Sequence, residues 1–196
     1  MIRIVIGSIV GGIAQFFVGF VFWGIPLLSR IPFSVAPDPQ NAAVQTALAQ
    51  NLTTTGTGTY YIPWPDSAAG SVLHGRGPVA LIFFNTNGFA QMSSSALVTG
   101  LILSVVTMLL LGVALNIVAA RVTDFPSRAK LVVLVAVATV LYFTLTMPVY
   151  NYYMPWGYWI YSALSELVGF VAGGLILARW FVPHADARVS VAGTVH

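Results

Sequence analysis

The stretch SSALVTGLILSVVTMLLLGVALNIVAA, residues 94–120, contains no charged side chain, and Asn116 is its one strongly polar residue. Its length exceeds the ~20 residues that an α-helix needs to cross a hydrocarbon core. Within lipid, the backbone N–H and C=O groups must pair with each other, and a helix pairs them inside one segment. The stretch therefore predicts a transmembrane helix.

The composition of the whole chain supports that interpretation. Of its 196 residues, 58% are hydrophobic and 7% are charged, whereas soluble domains carry roughly 25% charged residues. Eight basic and five acidic residues give a net charge of +3, and this small, scattered surplus does not indicate nucleic-acid binding. The chain has no cysteine, and His74, His184 and His196 lie far apart, so neither a metal site nor another cofactor is expected.

Three further apolar stretches have the length of a membrane span: residues 4–28, 129–149 and 156–181. Together with residues 94–120, they predict an all-α transmembrane fold in the form of a four-helix membrane bundle. The predicted division of the chain is a first transmembrane helix (1–28), a loop domain (29–90), three transmembrane helices (91–181) and a tail (182–196).

Basic residues lie mainly on one side of this predicted threading. Six of the eight fall near the N-terminus, between the second and third spans, or near the C-terminus: Arg3, Arg121, Arg128, Lys130, Arg179 and Arg188. The first loop carries the other two, Arg30 and Arg76. Because cytoplasmic loops are enriched in Lys and Arg, the pattern predicts a multi-pass protein of the bacterial inner membrane. Both termini are then cytoplasmic, and residues 29–90 lie outside.

The first loop contains the signals of a short helix. Asp38 followed by Pro39 is typical of a helix start, and the predicted helix covers residues 39–52. Its apolar residues recur every four positions, which predicts an amphipathic helix. These residues are Val44, Leu48 and Leu52.

The same loop contains two β-rich runs that are bounded by Gly, Pro and Asn. They predict strands near residues 58–63 and 78–86, paired antiparallel. The sequence between them, DSAAGSVLHGRG at residues 66–77, is rich in Gly and Ser and is predicted to be a flexible connection. The loop is therefore expected to form a small α+β extracytoplasmic domain between the first and second transmembrane helices.

Glu166 interrupts the apolar stretch YSALSELVGFVAGG, residues 161–174. It lies ten residues after Trp156, or roughly 15 Å along a helix, which is close to the bilayer centre. Because a charge is costly at that depth, we expect Glu166 to be protonated at neutral pH. Gly169 and Gly173 share its helix face and allow close helix approach, so Glu166 is predicted to face the protein interior or another subunit.

Three polar residues on the other spans lie at a similar predicted depth: Gln15, Ser104 and Thr139. Gln15 is the expected hydrogen-bond partner of Glu166, because its amide oxygen can accept from a carboxylic acid. Ser104 and Thr139 are the alternatives. Two roles stay open for Glu166: a neutral acid that stabilises a helix interface, and an intramembrane site for a proton or a ligand.

The segment MPVYNYYMPWGYWIY, residues 147–161, is rich in Tyr and Trp. Aromatic side chains with a polar tip collect at membrane interfaces, so four of them are predicted to lie at the outer interface. They are Tyr150, Tyr153, Trp156 and Trp159. Asn151 is predicted to cap the turn. A platform for a pigment, a quinone or a lipid is the functional alternative.

Four short motifs follow one another along the chain: Tyr60–Pro63, Gly77–Ala80, Pro148–Tyr153 and the carboxylate of Glu166. In this order, the chain resembles small bacterial four-span inner-membrane proteins of uncharacterised function. The resemblance covers nearly the whole chain, and it implies the topology without implying any chemistry. In those proteins the carboxylate is often Asp, and the segment MPWGYW, residues 154–159, lengthens the last loop of this chain.

These observations predict a non-catalytic integral membrane protein that serves as an accessory or assembly subunit of a larger inner-membrane complex. Its partners are then the lipid bilayer and other membrane subunits. The alternative is a small proton- or ligand-responsive carrier or sensor that uses Glu166. An enzyme is not expected, because the sequence shows no nucleophile–base pair, metal-ligand set or phosphate-binding loop.

Overall fold

A computed structural model describes residues 1–90 and 92–183, so most of the predicted tail lies outside the described residues. In chain order, the described elements are α1 (Ile2–Gly24), α2 (Pro26–Ser29), α3 (Asp38–Leu52), β1 (Gly58–Ile62), α4 (Ala68–Arg76), β2 (Ala80–Phe84), α5 (Ser94–Val118), α6 (Phe125–Phe143), α7 (Met147–Tyr150) and α8 (Trp156–Trp180). They form two compact units. The helical unit comprises Met1–Phe33 and the chain from Ser93, and the loop unit is Ser34–Met92.

Within the described part of the chain, four helical segments are long and apolar enough to cross a membrane: Ile2–Gly24, Ser94–Val118, Phe125–Tyr150 and Trp156–Trp180. Their bounds agree with the predicted spans to within a few residues. Large apolar side chains on these helices are exposed, such as Phe17 at 64%, Leu110 at 67% and Ile117 at 75%. Such apolar outer surfaces suit helices surrounded by lipid, and four such helices are the pattern of a multi-pass membrane protein.

Helix α1 packs against α5 and α8, and glycines make this packing close. A Cβ atom on Gly173 of α8 would lie 2.5 Å from the carbonyl oxygen of Gly11. On the other side of α1, a Cβ atom on Gly12 would lie 2.6 Å from the Cα atom of Val105. Small residues at these positions therefore let the helix backbones approach each other, as the spacing of Gly169 and Gly173 predicts.

Helix α6 packs against α8. Its first turn is capped by Asp124, whose carboxylate accepts a hydrogen bond of 2.9 Å from the backbone N–H of Ser127. That bond is the largest influence holding the pKa of Asp124 below its usual value. This cap therefore stabilises the folded protein fully at a pH above the pKa that Asp124 has in the unfolded chain. The stabilisation is lost as the pH falls through the lower pKa that Asp124 has in the folded protein.

The hydrophobic core of the helical unit lies between α5, α6 and α8. Its fully buried members include Met108, Val132 and Leu177. Arg128 lies at the edge of this core and is only 1% exposed. Its guanidinium donates hydrogen bonds to the carbonyl oxygens of Val122, Val182 and Pro183 at 2.9, 3.0 and 2.7 Å. Arg128 therefore joins the start of α6 to the chain that follows α8.

The loop unit confirms the predicted helix as α3 and the predicted antiparallel pair as β1 and β2, with Tyr60 opposite Ile82. The apolar stripe of α3 is not packed in a core, however, since Val44 is 58% exposed. The predicted flexible connection between the strands is wrong, because α4 forms there. Ser67 caps its start by accepting from the Gly70 N–H, and Gly77 ends it at a φ of 66°, a left-handed conformation that favours glycine.

Candidate functional site

Glu166 is exposed on the surface of the helical unit, near the middle of α8. It lies ten residues from Trp156 and fourteen from Trp180, or about 15 and 21 Å from the two helix ends at 1.5 Å per residue. The hydroxyl of Thr144 donates a hydrogen bond to its Oε2 atom. Within the described residues, this is the one hydrogen bond of the Glu166 side chain. An acidic group at membrane depth thus lies on an outer face, beside the end of α6.

Thr144 replaces Gln15 as the observed partner of Glu166, so the predicted pairing is wrong. Gln15 lies on α1, where its Cγ atom is 3.6 Å from the position of a Cβ atom on Gly169. The Oε1 atom of Gln15 is buried and has no hydrogen-bond partner within the described residues. Gln15 therefore sits one helical turn from Glu166 along α8 and offers an unused acceptor.

The two alternative partners, Ser104 and Thr139, do not contact Glu166 through their hydroxyl groups, which bond within their own helices. The Ser104 hydroxyl donates to the carbonyl oxygen of Gly100 at 3.0 Å, and the Thr139 hydroxyl donates to that of Val135 at 2.8 Å. Both bonds close within one helix turn, a common way for Ser and Thr to satisfy their hydroxyl groups in an apolar helix.

The direction of the Glu166 side chain explains why Thr144 was missed. Helical side chains lean towards the N-terminus of their own helix. The side chain of Glu166 therefore leans towards the start of α8, where α6 ends, because α6 and α8 run antiparallel with Val132 beside Gly174. Counting Cα positions along each span selects Thr139, whereas the carboxyl group reaches Thr144, the residue that follows α6.

An apolar groove of about 190 Å³ lies between α6 and α8 next to this pair. All the residues that line it are aliphatic: Val137, Val140, Leu141, Leu145, Ile160, Ala163, Leu164 and Leu167. Leu145 and Leu167 directly follow Thr144 and Glu166 in the chain. The polar pair therefore borders a surface that offers an apolar side chain or an acyl chain a place to pack.

The predicted interface aromatics are arranged around α7 and the start of α8. Tyr150 is 77% exposed and Trp156 is 49% exposed, while Tyr153 and Trp159 are half-buried. Asn151 ends α7, where its side-chain Nδ2 donates to the Met147 carbonyl oxygen at 3.0 Å. The predicted capping role of Asn151 in this turn is confirmed. The depth of the four aromatics in a membrane stays a prediction.

A second aromatic cluster joins the end of α1 to the start of α8, and no local sequence pattern predicts it. The Tyr161 hydroxyl lies 2.9 Å from the carbonyl oxygens of both Phe22 and Leu28. The indole N–H of Trp23 donates to the Ser165 hydroxyl at 3.0 Å, and its ring contacts that of Tyr161 edge to face. Spacing within one helix cannot reveal such a cluster, because its members come from opposite ends of the sequence.

Within the part of the chain that the structure describes, no three His, Asp or Glu side chains lie together as a metal site would require. Comparison with protein-family models, curated proteins and solved structures finds no match to this chain. The functional conclusion therefore depends on the chain's own residues.

Proposed function

We propose that this chain is a non-catalytic integral membrane protein and an accessory or assembly subunit of a larger inner-membrane complex. The observation that carries the proposal is the exposure of Glu166 on the outer face of α8 in the middle of a candidate span. In lipid, an acidic side chain at that depth costs several kcal/mol if charged. A transmembrane helix of another subunit that packs against this face would remove the cost by supplying a polar partner.

The surroundings of Glu166 support a partner helix rather than lipid alone. The groove between α6 and α8 offers aliphatic side chains for packing, and the Thr144 hydroxyl already orients the carboxyl group. Interhelical hydrogen bonds in membranes are individually weak, on average about 0.6 kcal/mol. The polar pair would therefore fix the register of the partner helix, and packing in the groove would supply most of the affinity.

The orientation of the protein in the membrane belongs to the same proposal. The four helices form a membrane bundle with the loop unit outside the cytoplasm and both termini inside it. The support is the distribution of basic residues, six of which fall on the side of the termini. This asymmetry is the usual determinant of orientation in the bacterial inner membrane.

Purification of the tagged chain from its native membranes in a mild detergent, followed by native mass spectrometry, tests the subunit role. We expect the wild type and Glu166→Gln to carry the same additional subunits, because Gln keeps a hydrogen-bonding group of similar shape. Glu166→Leu should lose them. Thr139→Val is the matched control, since the Thr139 hydroxyl bonds only within α6. Recovery of the wild type and all three variants as the chain alone, or as a homo-oligomer, would overturn the subunit role.

A proton- or ligand-responsive carrier or sensor is the second candidate, and it is favoured by the same exposure of Glu166. Because protein atoms do not cover the Glu166 carboxyl group, a water molecule or a ligand that reaches it could exchange a proton with it. This candidate predicts proton-dependent flux in liposomes that contain the purified chain alone. Glu166→Gln should abolish that flux because an amide cannot release a proton, so the Gln variant separates the two candidates.

A further inference from the structure

The described residues of the loop unit, 34–90 and 92, form no hydrophobic core. Among its described residues, Gly70 is the one buried residue, and every apolar side chain is at least partly exposed. An isolated two-stranded hairpin is marginally stable at best, because ordering the backbone costs roughly 1–2 kcal/mol per residue. The unit therefore needs a surface outside itself against which its apolar side chains can be buried.

The composition of the loop unit does not suit a surface that faces water. Residues 34–92 carry only three charged side chains, Asp38, Asp66 and Arg76. Large apolar side chains project instead: Trp64 is 65% exposed, Phe83 is 81% exposed and Phe89 is 77% exposed. Exposed apolar groups of this size mark a surface that binds another protein or a membrane.

One of these projecting side chains, Phe83, shares a face of the hairpin with Tyr61 and Leu81. Thr59 pairs with Phe83, and Tyr61 pairs with Leu81, so these side chains point to the same side of the pleated sheet. The Trp64 ring packs edge-on against Tyr61, with 6.0 Å between the ring centroids. We call Tyr61, Trp64, Leu81 and Phe83 the anchor face.

Helix α4 holds the anchor face in place. His74 of α4 lies 2.7 Å from the Tyr61 hydroxyl through its Nε2 atom, and its ring also packs against that of Tyr61. This contact ties α4 to Tyr61 of β1, which also contacts the Trp64 ring. The face is thus organised within the unit, although Trp64 and Phe83 are left exposed.

We propose that the anchor face binds the lipid bilayer at the boundary between headgroups and acyl chains, with Trp64 and Phe83 inserted. Chain connectivity favours lipid, because residues 25–33 alone separate the loop unit from the candidate span α1, and Ser93 alone separates it from the candidate span α5. Side-chain chemistry favours it as well, since Trp and Tyr prefer the headgroup level. Hydrated headgroups also provide partners for the unpaired backbone groups at the two open edges of the hairpin.

Spin labelling of the full-length chain tests this proposal, and the absence of native cysteine makes single-cysteine labelling specific. The purified chain is placed in phosphatidylcholine–phosphatidylglycerol vesicles that contain no other protein. Phe83→Cys reports on the anchor face, and Gln45→Cys, on an exposed position of α3, is the matched control. Leu110→Cys on α5 provides the value for a lipid-facing label.

Collision of the label with oxygen, which dissolves in lipid, is compared with collision with a water-soluble nickel chelate. We expect the oxygen-to-nickel collision ratio at Phe83→Cys to exceed that at Gln45→Cys several-fold and to approach that at Leu110→Cys. Equal ratios at the two loop positions would overturn the proposal. Shielding of Phe83→Cys from both reagents would also overturn it, because the face would then be buried against protein. No partner subunit is present, so either failure leaves the proposed subunit role untouched.

Discussion

The hydrogen bond between Thr144 and Glu166 leads to a prediction about two substitutions at one position. Thr144 is only 5% exposed, so removing its acceptor leaves a buried hydroxyl unsatisfied. We expect Glu166→Leu to lower the free energy of unfolding in detergent by about 1 kcal/mol, the usual scale for an interhelical hydrogen bond in a membrane protein. Glu166→Gln keeps an acceptor oxygen and should change it little.

A double-mutant cycle identifies the bond as the cause. If the two side chains act as a pair, Thr144→Val should cost about as much as Glu166→Leu, and the combined variant should cost less than the sum. The measurement is unfolding in a mixed-micelle denaturation series. Strict additivity of the two substitutions would contradict the pairing.

The sequence identifies Glu166 more readily than its partner. A carboxyl group within an apolar helix is visible in the sequence itself, and its depth follows from the helical rise. Its partner depends on the direction of the side chain and on how α6 crosses α8, which no local pattern records. Depth alone therefore selects Gln15, Ser104 and Thr139, whereas the bond is made by Thr144.

Two glycine substitutions test the packing of α1 against α8. A Cβ atom on Gly173 would come within 2.5 Å of the Gly11 carbonyl oxygen, whereas nothing lies within 4 Å of a Cβ atom on Gly19. Gly173→Ala should therefore force the helices apart and cost roughly 1–3 kcal/mol, as overpacking does. Gly19→Ala should be neutral or stabilise the helix by up to about 1 kcal/mol.

The difference between these variants can be read from thermal unfolding in detergent. Both replace a glycine within a candidate span by alanine, so their intrinsic helix propensities change in the same direction. Equal unfolding temperatures for the two variants would show that the close approach of α1 and α8 does not stabilise the helical unit.

Arg128 provides a second prediction for the contacts between elements. Its guanidinium donates to three carbonyl oxygens, and hydrogen bonds to charged groups contribute roughly 1.5–3 kcal/mol. Arg128→Ala should therefore destabilise the protein and release the chain that follows α8 to proteases. Lys130→Ala, two residues further along α6 and exposed, is the control. Arg179 lies in the last turn of α8, which would loosen together with the chain that follows it. Equal rates of tryptic cleavage at Arg179 in both variants would therefore contradict this role of Arg128.

The elements that the sequence predicts well are those with a local signal. Each span is a long apolar run, and α3 begins at an Asp-Pro pair, so both are defined by neighbouring residues. Helix α4 is not predicted from the sequence, because Gly70 and Gly75 lower the helix propensity of this short segment more than a cap at Ser67 raises it. Burial of Gly70 against the Trp64 carbonyl oxygen and contact of His74 with Tyr61 are tertiary effects.

At the scale of the whole molecule, the proposed orientation predicts opposite locations for two connections. Reporter fusions at Thr123, between α5 and α6, and at Thr55, in the loop unit, should give opposite signals. A cytoplasmic reporter should be active at Thr123, and a periplasmic reporter should be active at Thr55, because most basic residues lie near the termini and Thr123. Identical signals at both sites would refute the threading.

Photo-crosslinking in native membranes shows whether the face of α8 around Glu166 contacts another membrane subunit, as the proposed function requires. A diazirine-bearing leucine analogue replaces Leu167, which follows Glu166 and lines the groove, or Leu110, which is 67% exposed on α5. We expect Leu167 to crosslink to one discrete protein, Glu166→Leu to abolish this product, and Leu110 to give lipid adducts. Lipid adducts alone at both positions would show that this face of α8 meets lipid and not another subunit.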